Sequence, residues 1–374
     1  MKNKKTTKKS NINPLDYGLL YTIVILLAIG VVMVYSASSY FAMVNYNDST
    51  AFLKKQALFA AIGFTAMIFI SRCDYHKLKK LTGILFVITP ILLVAVYLFP
   101  ATKGAQRWIK LGPFSFQPSE LAKYAVVIIL ANIITNKGEK IKEFWKGIVP
   151  CFIVGGGFAA LILAQKNLSI AAVTGFVTFI MVFVAGARKR FMFGVITPLI
   201  LFAGSFFTLF EDYRRRRLLN FINPWKDPAG DGYQLIQSFY ALGAGGVTGL
   251  GIGQSRQKTL YMPEPHNDFI FAIIGEELGL IGCTVVILLF VIFVYRGIKI
   301  AMNAKDEYGT LLAVGITSII GLQAIINIAV VTGSMPVTGV PLPFISYGGT
   351  ALVFNLMAMG ILLNISRQRN KKID

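Results

Sequence analysis

LGLIGCTVVILLFVIFVY, residues 278–295, runs for eighteen positions without a charged side chain. As a helix rising about 1.5 Å per residue it reaches roughly 27 Å, close to the ~30 Å hydrocarbon thickness of a bilayer. Comparable runs recur on both sides of it. Hydrophobic residues make up 55% of the 374 and charged ones 14%, a balance that no soluble core of this size needs. Apolar segments near 16–38, 56–71, 81–99, 119–135, 147–164, 169–186, 191–210, 269–295, 310–333 and 344–364 predict an all-α polytopic membrane protein. About ten transmembrane helices are expected, with a long external loop before the eighth.

An even number of crossings puts both termini on one side, and Lys and Arg choose which. Of 37 such residues, 23 fall in 2–9, 72–80, 137–146, 188–190, 296–305 and the C-terminal tail. The other face holds 14, seven of them in the loop 211–268, where long-loop length weakens the orienting rule. The expected organisation is a cytoplasmic basic tail (1–15), helices one to seven (16–210), a large extracytoplasmic loop (211–268), helices eight to ten (269–364) and a second cytoplasmic basic tail (365–374). The N-terminal lysines before an apolar stretch resemble a signal peptide. That stretch is long and more spans follow, so it reads as an uncleaved first span.

The net charge of +20 is scattered over loops that flank the spans. Such scatter suits anionic lipid headgroups, and no nucleic-acid stripe forms. No Gly-Lys dipeptide occurs, which excludes a Walker A loop, and His76 and His266 cannot form an HExxH zinc site. Cys73, Cys151 and Cys283 lack metal-type spacing, so neither a metal nor a disulfide is assigned to them. Six glycines in 243–253 fit no GxGxxG frame and read as a flexible or re-entrant loop.

Polar residues collect on the side of the long loop. Within it, Arg214, Arg215, Arg216 and Arg217 precede Leu218, Leu219, Phe221, Ile222 and Trp225, as in a segment lying in the membrane interface. A simple basic headgroup anchor is the plainer alternative. Farther on, Tyr261 to Phe271 leads into the eighth span and places Asp268 at its external mouth. Asn267 or Asp268 could cap that helix, or Asp268 could act as a base at the membrane surface. Glu276 and Glu277 read at least as well as polar contacts locking helices together. A second group runs Gln106, Arg107, Trp108 and then Gln117, Pro118, Ser119, Glu120, Lys123. There Ser119 starts a helix and Glu120 and Lys123, at i and i+3, can pair. A third, 336–349, holds too many Pro and Gly for a plain helix and is read as part of a cavity wall.

These motifs resemble the shape, elongation, division and sporulation family of FtsW, RodA and SpoVE. The resemblance covers nearly the whole chain, and rests on Gln106-Arg107-Trp108 with Gln117-Pro118-Ser119-Glu120; on Pro224, Asp227-Pro228, Gly232-Tyr233-Gln234 and Gln237-Ser238; on Pro263-Glu264, Asp268-Phe269-Ile270-Phe271 and Gly275-Glu276-Glu277; and on Pro341-Leu342-Pro343-Phe344 with Ser346-Tyr347-Gly348-Gly349. The wording Pro263 to Asp268 sits closer to FtsW and SpoVE than to RodA. The resemblance implies a peptidoglycan glycosyltransferase that polymerises lipid II, with Asp268 matching the family's essential external acid and Glu120 and Lys123 its fourth-span ion pair. It further implies inversion in one displacement from an α-linked donor. A class B penicillin-binding transpeptidase, other division or sporulation proteins, and the growing glycan strand are the implied partners. Two departures stand out. Gln165-Lys166-Asn167-Leu168 replaces the frequent Gln-Pro-Asp-Leu, and Thr350 stands where Ser is common.

On this reading Asp268 is the catalytic base. Arg107, Lys123, Arg214 to Arg217 and Lys258 are candidate cations for the diphosphate leaving group. The full set expected to bind substrate adds Gln106, Trp108, Gln117, Ser119, Glu120, Gln234, Glu264, His266 and Ser346. No tightly bound cofactor is expected, and magnesium is the candidate assistant at the diphosphate. Two other classes remain open at this point: a lipid II flippase or other transporter, and a non-catalytic scaffold of the wall-synthesis complex.

Overall fold

The computed structural model describes residues 14–101, 104–112, 114–259 and 261–369. Most of the basic N-terminal tail and the last five residues of the C-terminal one lie outside them. In chain order the helices are α1 (Tyr17–Tyr46), α2 (Ala51–Arg72), α3 (Leu78–Ala95), α4 (Pro118–Lys137), α5 (Val149–Ala164), α6 (Leu168–Val184) and α7 (Lys189–Phe191), which continues through a π turn into α8 (Thr197–Leu209). There follow α9 (Asp212–Ile222), α10 (Tyr233–Gly245), α11 (Ile270–Met302), α12 (Glu307–Val331) and α13 (Thr350–Arg367). One antiparallel hairpin, β1 (Ile109–Leu111) against β2 (Phe114–Phe116), pairs Ile109 with Phe116 and interrupts the otherwise helical chain.

Among the described residues nine helices are long and apolar enough to cross a membrane, and α6, at 17 residues, is a shorter apolar one. Contacts at its two ends set α6 across the bundle beside them. Near its start Ser169 bonds the carbonyl of Thr338, beside the segment that precedes α11. Beyond its end Phe191 packs at a tilt on Phe144, in the turn that leads into α5, with ring centres 5.0 Å apart. The protein is therefore a multi-pass, all-α membrane protein. Asp16 pairs with Arg296 at 3.5 Å and its amide meets Ser366, so both described chain ends share one face. The described residues of the loops 47–50, 99–117, 165–167, 210–269 and 332–349 gather on the other.

The bundle is built around α4, α12 and α13, whose apolar windows are 78%, 61% and 67% buried. Small residues let these helices approach closely, as is usual where lipid supplies no hydrophobic drive between helices. A side chain on Gly63 of α2 would strike Leu356 of α13, and one on Gly360 would meet Met67 and Ile70. In contrast α3 and α8 expose Leu81, Ile84, Ile91, Leu199 and Phe202 to what would be lipid.

Several sequence boundaries shift, three of them for reasons that the residues show. α1 runs to Tyr46 and not 38, because its polar Ser36 to Asn45 lower the hydropathy without breaking the helix. α2 starts at Ala51, where Lys54, Lys55 and Gln56 hide the first turn. The tenth span begins at Thr350 and not 344, since Phe344 at φ 65° and Gly349 at φ 43° hold the preceding segment off the helical path.

α11 is broken. Gly279 takes φ 65° and ψ −165°, a conformation closed to side chains with a Cβ, and the helix bends there. Four backbone groups at the break find partners in the glycine-rich segment, as burial demands. Leu250 and Gly251 donate to the carbonyls of Glu276 and Glu277, while Leu280 and Ile281 donate to those of Gly246 and Val247. The stretch expected as a flexible or re-entrant loop is thus the seam of a discontinuous helix.

Candidate functional site

Asp268 lies two residues before α11, half-buried, on the face opposite the chain ends. The helix is capped by Phe269, so neither Asn267 nor Asp268 holds the cap position that the sequence allowed. One buried amide fixes the backbone here: Asn327 Nδ2 of α12 donates to the carbonyls of Asp268 and Val340, each at 2.7 Å. Gly339 faces the carboxylate, and a Cβ on it would lie 3.2 Å from Asp268 Oδ2. The 336–349 segment therefore forms a wall beside Asp268. It is held from outside by Ser169, which donates to Thr338 O at 2.7 Å, and by Arg217, which donates to Val337 O at 3.0 Å.

The residues just before Asp268 are immobilised as well. Ser346 Oγ donates to Asn267 O and accepts from Leu342 N, both at 2.8 Å, so its hydroxyl serves the loop-to-loop contact. Asn267 Nδ2 donates to Glu264, itself at φ 48°, over 2.9 Å. The ring of His266 is buried among Phe52, Phe41 and Tyr347, with centres 4.4, 5.8 and 5.7 Å away. Burial, then the neighbouring Tyr46, pushes the Tyr347 phenol up from its ordinary value and keeps it neutral.

A second part of the site comes from the loop before α4. Arg107 Nε donates to Gln165 O at 3.2 Å and its NH2 to Lys166 O, which ties this loop to the α5–α6 corner. Gln106 donates to Phe99 O at 3.2 Å, Trp108 is half-buried just before β1, and Gln117 caps α4 through its backbone only. Glu120 and Lys123 pair at 2.8 Å as their spacing predicts, with side chains 3% and 0% exposed. Ser119 is a correction: Gln117 and not Ser119 occupies the cap, and the Ser119 hydroxyl is buried without a hydrogen-bond partner. Asn167, the departure from the family pattern, caps α6 by accepting from Ile170 N.

Other expected residues lie elsewhere. Arg214 bonds Phe207 O and Arg215 pairs with Asp212, both within the α8–α9 corner, and Gln234 is half-buried on α10. Lys258 does not present an unmatched charge to substrate. Its ammonium pairs with Glu277 at 2.9 Å, with side chains 7% and 0% exposed, and also reaches Ser36. Burial of both groups, which makes an unpaired charge prohibitive, explains the match. Glu276 accepts from the Ser255 hydroxyl and from the amides of Arg256 and Gln257, which fastens a loop and not a second helix to the break, while Glu277 accepts from Ser36 of α1. Sequence reasoning missed Ser169, Asn327 and Gly339, although an Asn inside an apolar span was itself a signal. Among the described residues no three His, Cys, Asp or Glu come together as a cation site, and Asn167 supplies no second carboxylate.

Comparison with known proteins gives a consistent picture. The family described as Cell cycle protein, that of FtsW, RodA and SpoVE, matches residues 17–371. Stage V sporulation protein E of Bacillus subtilis (strain 168) is 47% identical over 367 residues, covering 97% of this chain and 99% of its own. The probable peptidoglycan glycosyltransferase FtsW of Geobacter metallireducens is 43% identical over 354 residues, 94% of each chain. A chain of a peptidoglycan synthase complex, described for its coordination of polymerization and crosslinking, superposes with a TM-score of 0.79 at 28% identity over 96% of this chain and 99% of its own. The rod shape determining protein RodA of Thermus thermophilus shares the fold, with a TM-score of 0.71 at 24% identity over 96% and 98%.

Proposed function

The chain belongs to the Cell cycle protein family of FtsW, RodA and SpoVE, and from that membership we infer that it is a peptidoglycan glycosyltransferase, polymerising lipid II into glycan strands at the outer face of the cytoplasmic membrane. The observation that carries the chemical reading is the position of Asp268, half-buried at the mouth of a broken helix and walled by Gly339. Asp268 takes the proton from the 4-hydroxyl of the acceptor sugar as that oxygen attacks C1 of the donor, and the lipid diphosphate leaves from the opposite side. One carboxylate suffices for such an inverting displacement. Its fixed backbone matters as much as its charge, because misplacing a base by about 1 Å costs on the order of a hundredfold in rate.

Charge developing on the diphosphate calls for cations. Arg107, at the α5–α6 corner, and Arg217, on the wall beside Asp268, are the guanidinium groups best placed for this, whereas Lys123 is matched by Glu120 within the first turns of α4. The excess of Lys and Arg on the face of the chain ends supports cytoplasmic termini and an extracytoplasmic Asp268. A class B transpeptidase partner is supported by the likeness to a synthase complex in which polymerization and crosslinking are coordinated.

The test is purified protein with lipid II, assayed for glycan strands with and without the cognate transpeptidase. Polymer is expected from the native chain, and none from Asp268→Ala with unchanged thermal unfolding. Normal polymer from Asp268→Ala removes Asp268 from the chemistry, and translocation of labelled lipid II without polymer replaces catalysis by transport.

A further inference from the structure

A cavity of about 670 Å3 opens between α1 and the loop 252–259. Asp268 does not line it. We propose that this cavity is a subsite for uncharged hexosamine units of the glycan strand, remote from the sugar whose hydroxyl is deprotonated. The proposal rests on the glycosyltransferase reading for the identity of its ligand and on the following observations for its chemistry.

Size and lining come first. The volume falls within the range of about 300–1,000 Å3 common to small-ligand sites. Its walls offer two tyrosine rings, Tyr35 and Tyr40, 39% and 43% exposed, together with the hydroxyls of Ser39, Ser49 and Thr259 and the amide of Gln254. Flat aromatic faces interleaved with neutral donors and acceptors match a sugar, which presents C–H patches on its faces and hydroxyls at its rim.

Charge comes second. Lys258 is the single ionisable lysine or acid among the lining residues, and Glu277 neutralises it at 2.9 Å while Ser36 bonds the same carboxylate. The floor is thus electrically balanced, which disfavours a diphosphate or a phospholipid headgroup as occupant.

Depth comes third. From Tyr17 to Tyr40, α1 rises roughly 35 Å, which exceeds the ~30 Å hydrocarbon layer. The cavity therefore runs from Val32 and Tyr35, within the hydrocarbon thickness, out to Ser39 and Tyr40 at headgroup level, where sugars sit and a prenyl tail does not. The same stretch connects to the reaction centre: Phe41, next to Tyr40, packs on His266 at 5.8 Å, and His266 lies two residues from Asp268. Cavity and base share one membrane face, separated by that aromatic contact.

The experiment uses the full chain in nanodiscs and the β-1,4-linked tetramer of N-acetylglucosamine as probe, with binding followed by saturation-transfer NMR. The native chain and Asp268→Ala are expected to bind the tetramer alike, whereas Tyr40→Ala and the cavity-filling Ser39→Trp weaken it at least tenfold. In lipid II polymerisation both cavity variants are expected to give shorter strands, and Gln254→Ala, the mildest change, an intermediate effect. Unchanged thermal unfolding qualifies each variant. Tetramer binding that is absent from the native chain, or equal in the cavity variants, overturns the subsite even if polymerisation persists. Loss of polymer activity in the native chain would instead sink the glycosyltransferase reading.

Discussion

The hydroxyl of Ser169 donates to the carbonyl of Thr338 at 2.7 Å, joining the first turn of α6 to the strip of chain whose next residue faces Asp268. This bond touches no reacting atom, yet it fixes one wall of the base. A neutral hydrogen bond of this kind contributes about 1 kcal/mol. Ser169→Ala is expected to lower kcat/KM for lipid II about fivefold while thermal unfolding barely moves, and Ser169→Thr to restore most of the loss. Equal activity of the alanine variant would show that Thr338 holds its place without α6.

The Lys258–Glu277 pair should behave as a buried ion pair. Removing one partner strands the other charge at a cost of about 3–5 kcal/mol. Lys258→Met and Glu277→Leu are each expected to lower the melting temperature in detergent sharply, and the double variant to recover much of it. Additive losses in the double variant would mean that the two charges do not depend on each other.

Gly279 makes a sharper test of the helix break. A Cβ there would collide with Gly249 N and Val247 O, and the φ of 65° disfavours any other residue. Gly279→Ala is expected to abolish folded protein in membranes. Gly83→Ala in α3, where no atom lies within 4 Å, is the control and should be neutral or stabilising by up to about 1 kcal/mol.

On the opposite face His76 bridges Asp74 and Asp306 at 2.6 Å each. Burial opposes ionisation of Asp306, but bonds from Gly309 N, His76 and Tyr75 outweigh it and hold the carboxyl below its usual range. Burial likewise works against Asp74, and the amide and ring of His76 and the Gln368 amide reverse it. With folded-state values depressed, both acids contribute stability above the ordinary carboxylate range, and that contribution is lost as pH falls through the lowered values. His76→Ala removes a lowering influence, so acid unfolding followed by tryptophan fluorescence is expected to begin at a higher pH than in the native chain. An unchanged acid limb would detach this junction from acid stability.

Much of the architecture could be read from residue order alone, because an apolar run of bilayer length has few other fates. The Glu120–Lys123 pair was readable for the same reason, since both partners lie on one turn. What escaped depends on partners far apart in the chain. Nothing local marks Gly279 itself as the break, for glycine is common in membrane helices and the run that follows it to Tyr295 stays apolar. Lys258 looked available until folding placed Glu277 beside it. Ser119 had the right chemistry for a cap, but Pro118 at the first helical position moved the start one residue earlier.

The two halves of α11 are joined to residues 246–251 by four backbone bonds, so the chain departs from and returns to a single point. Everything between, Asp268 included, hangs from that point as a closed noose whose circumference is set by covalent geometry. Sliding or tilting the lower part of α11 therefore cannot reposition the acid unless the knot itself loosens. A signal that reaches this enzyme through the membrane must act on the wall opposite the carboxylate, or else undo the knot.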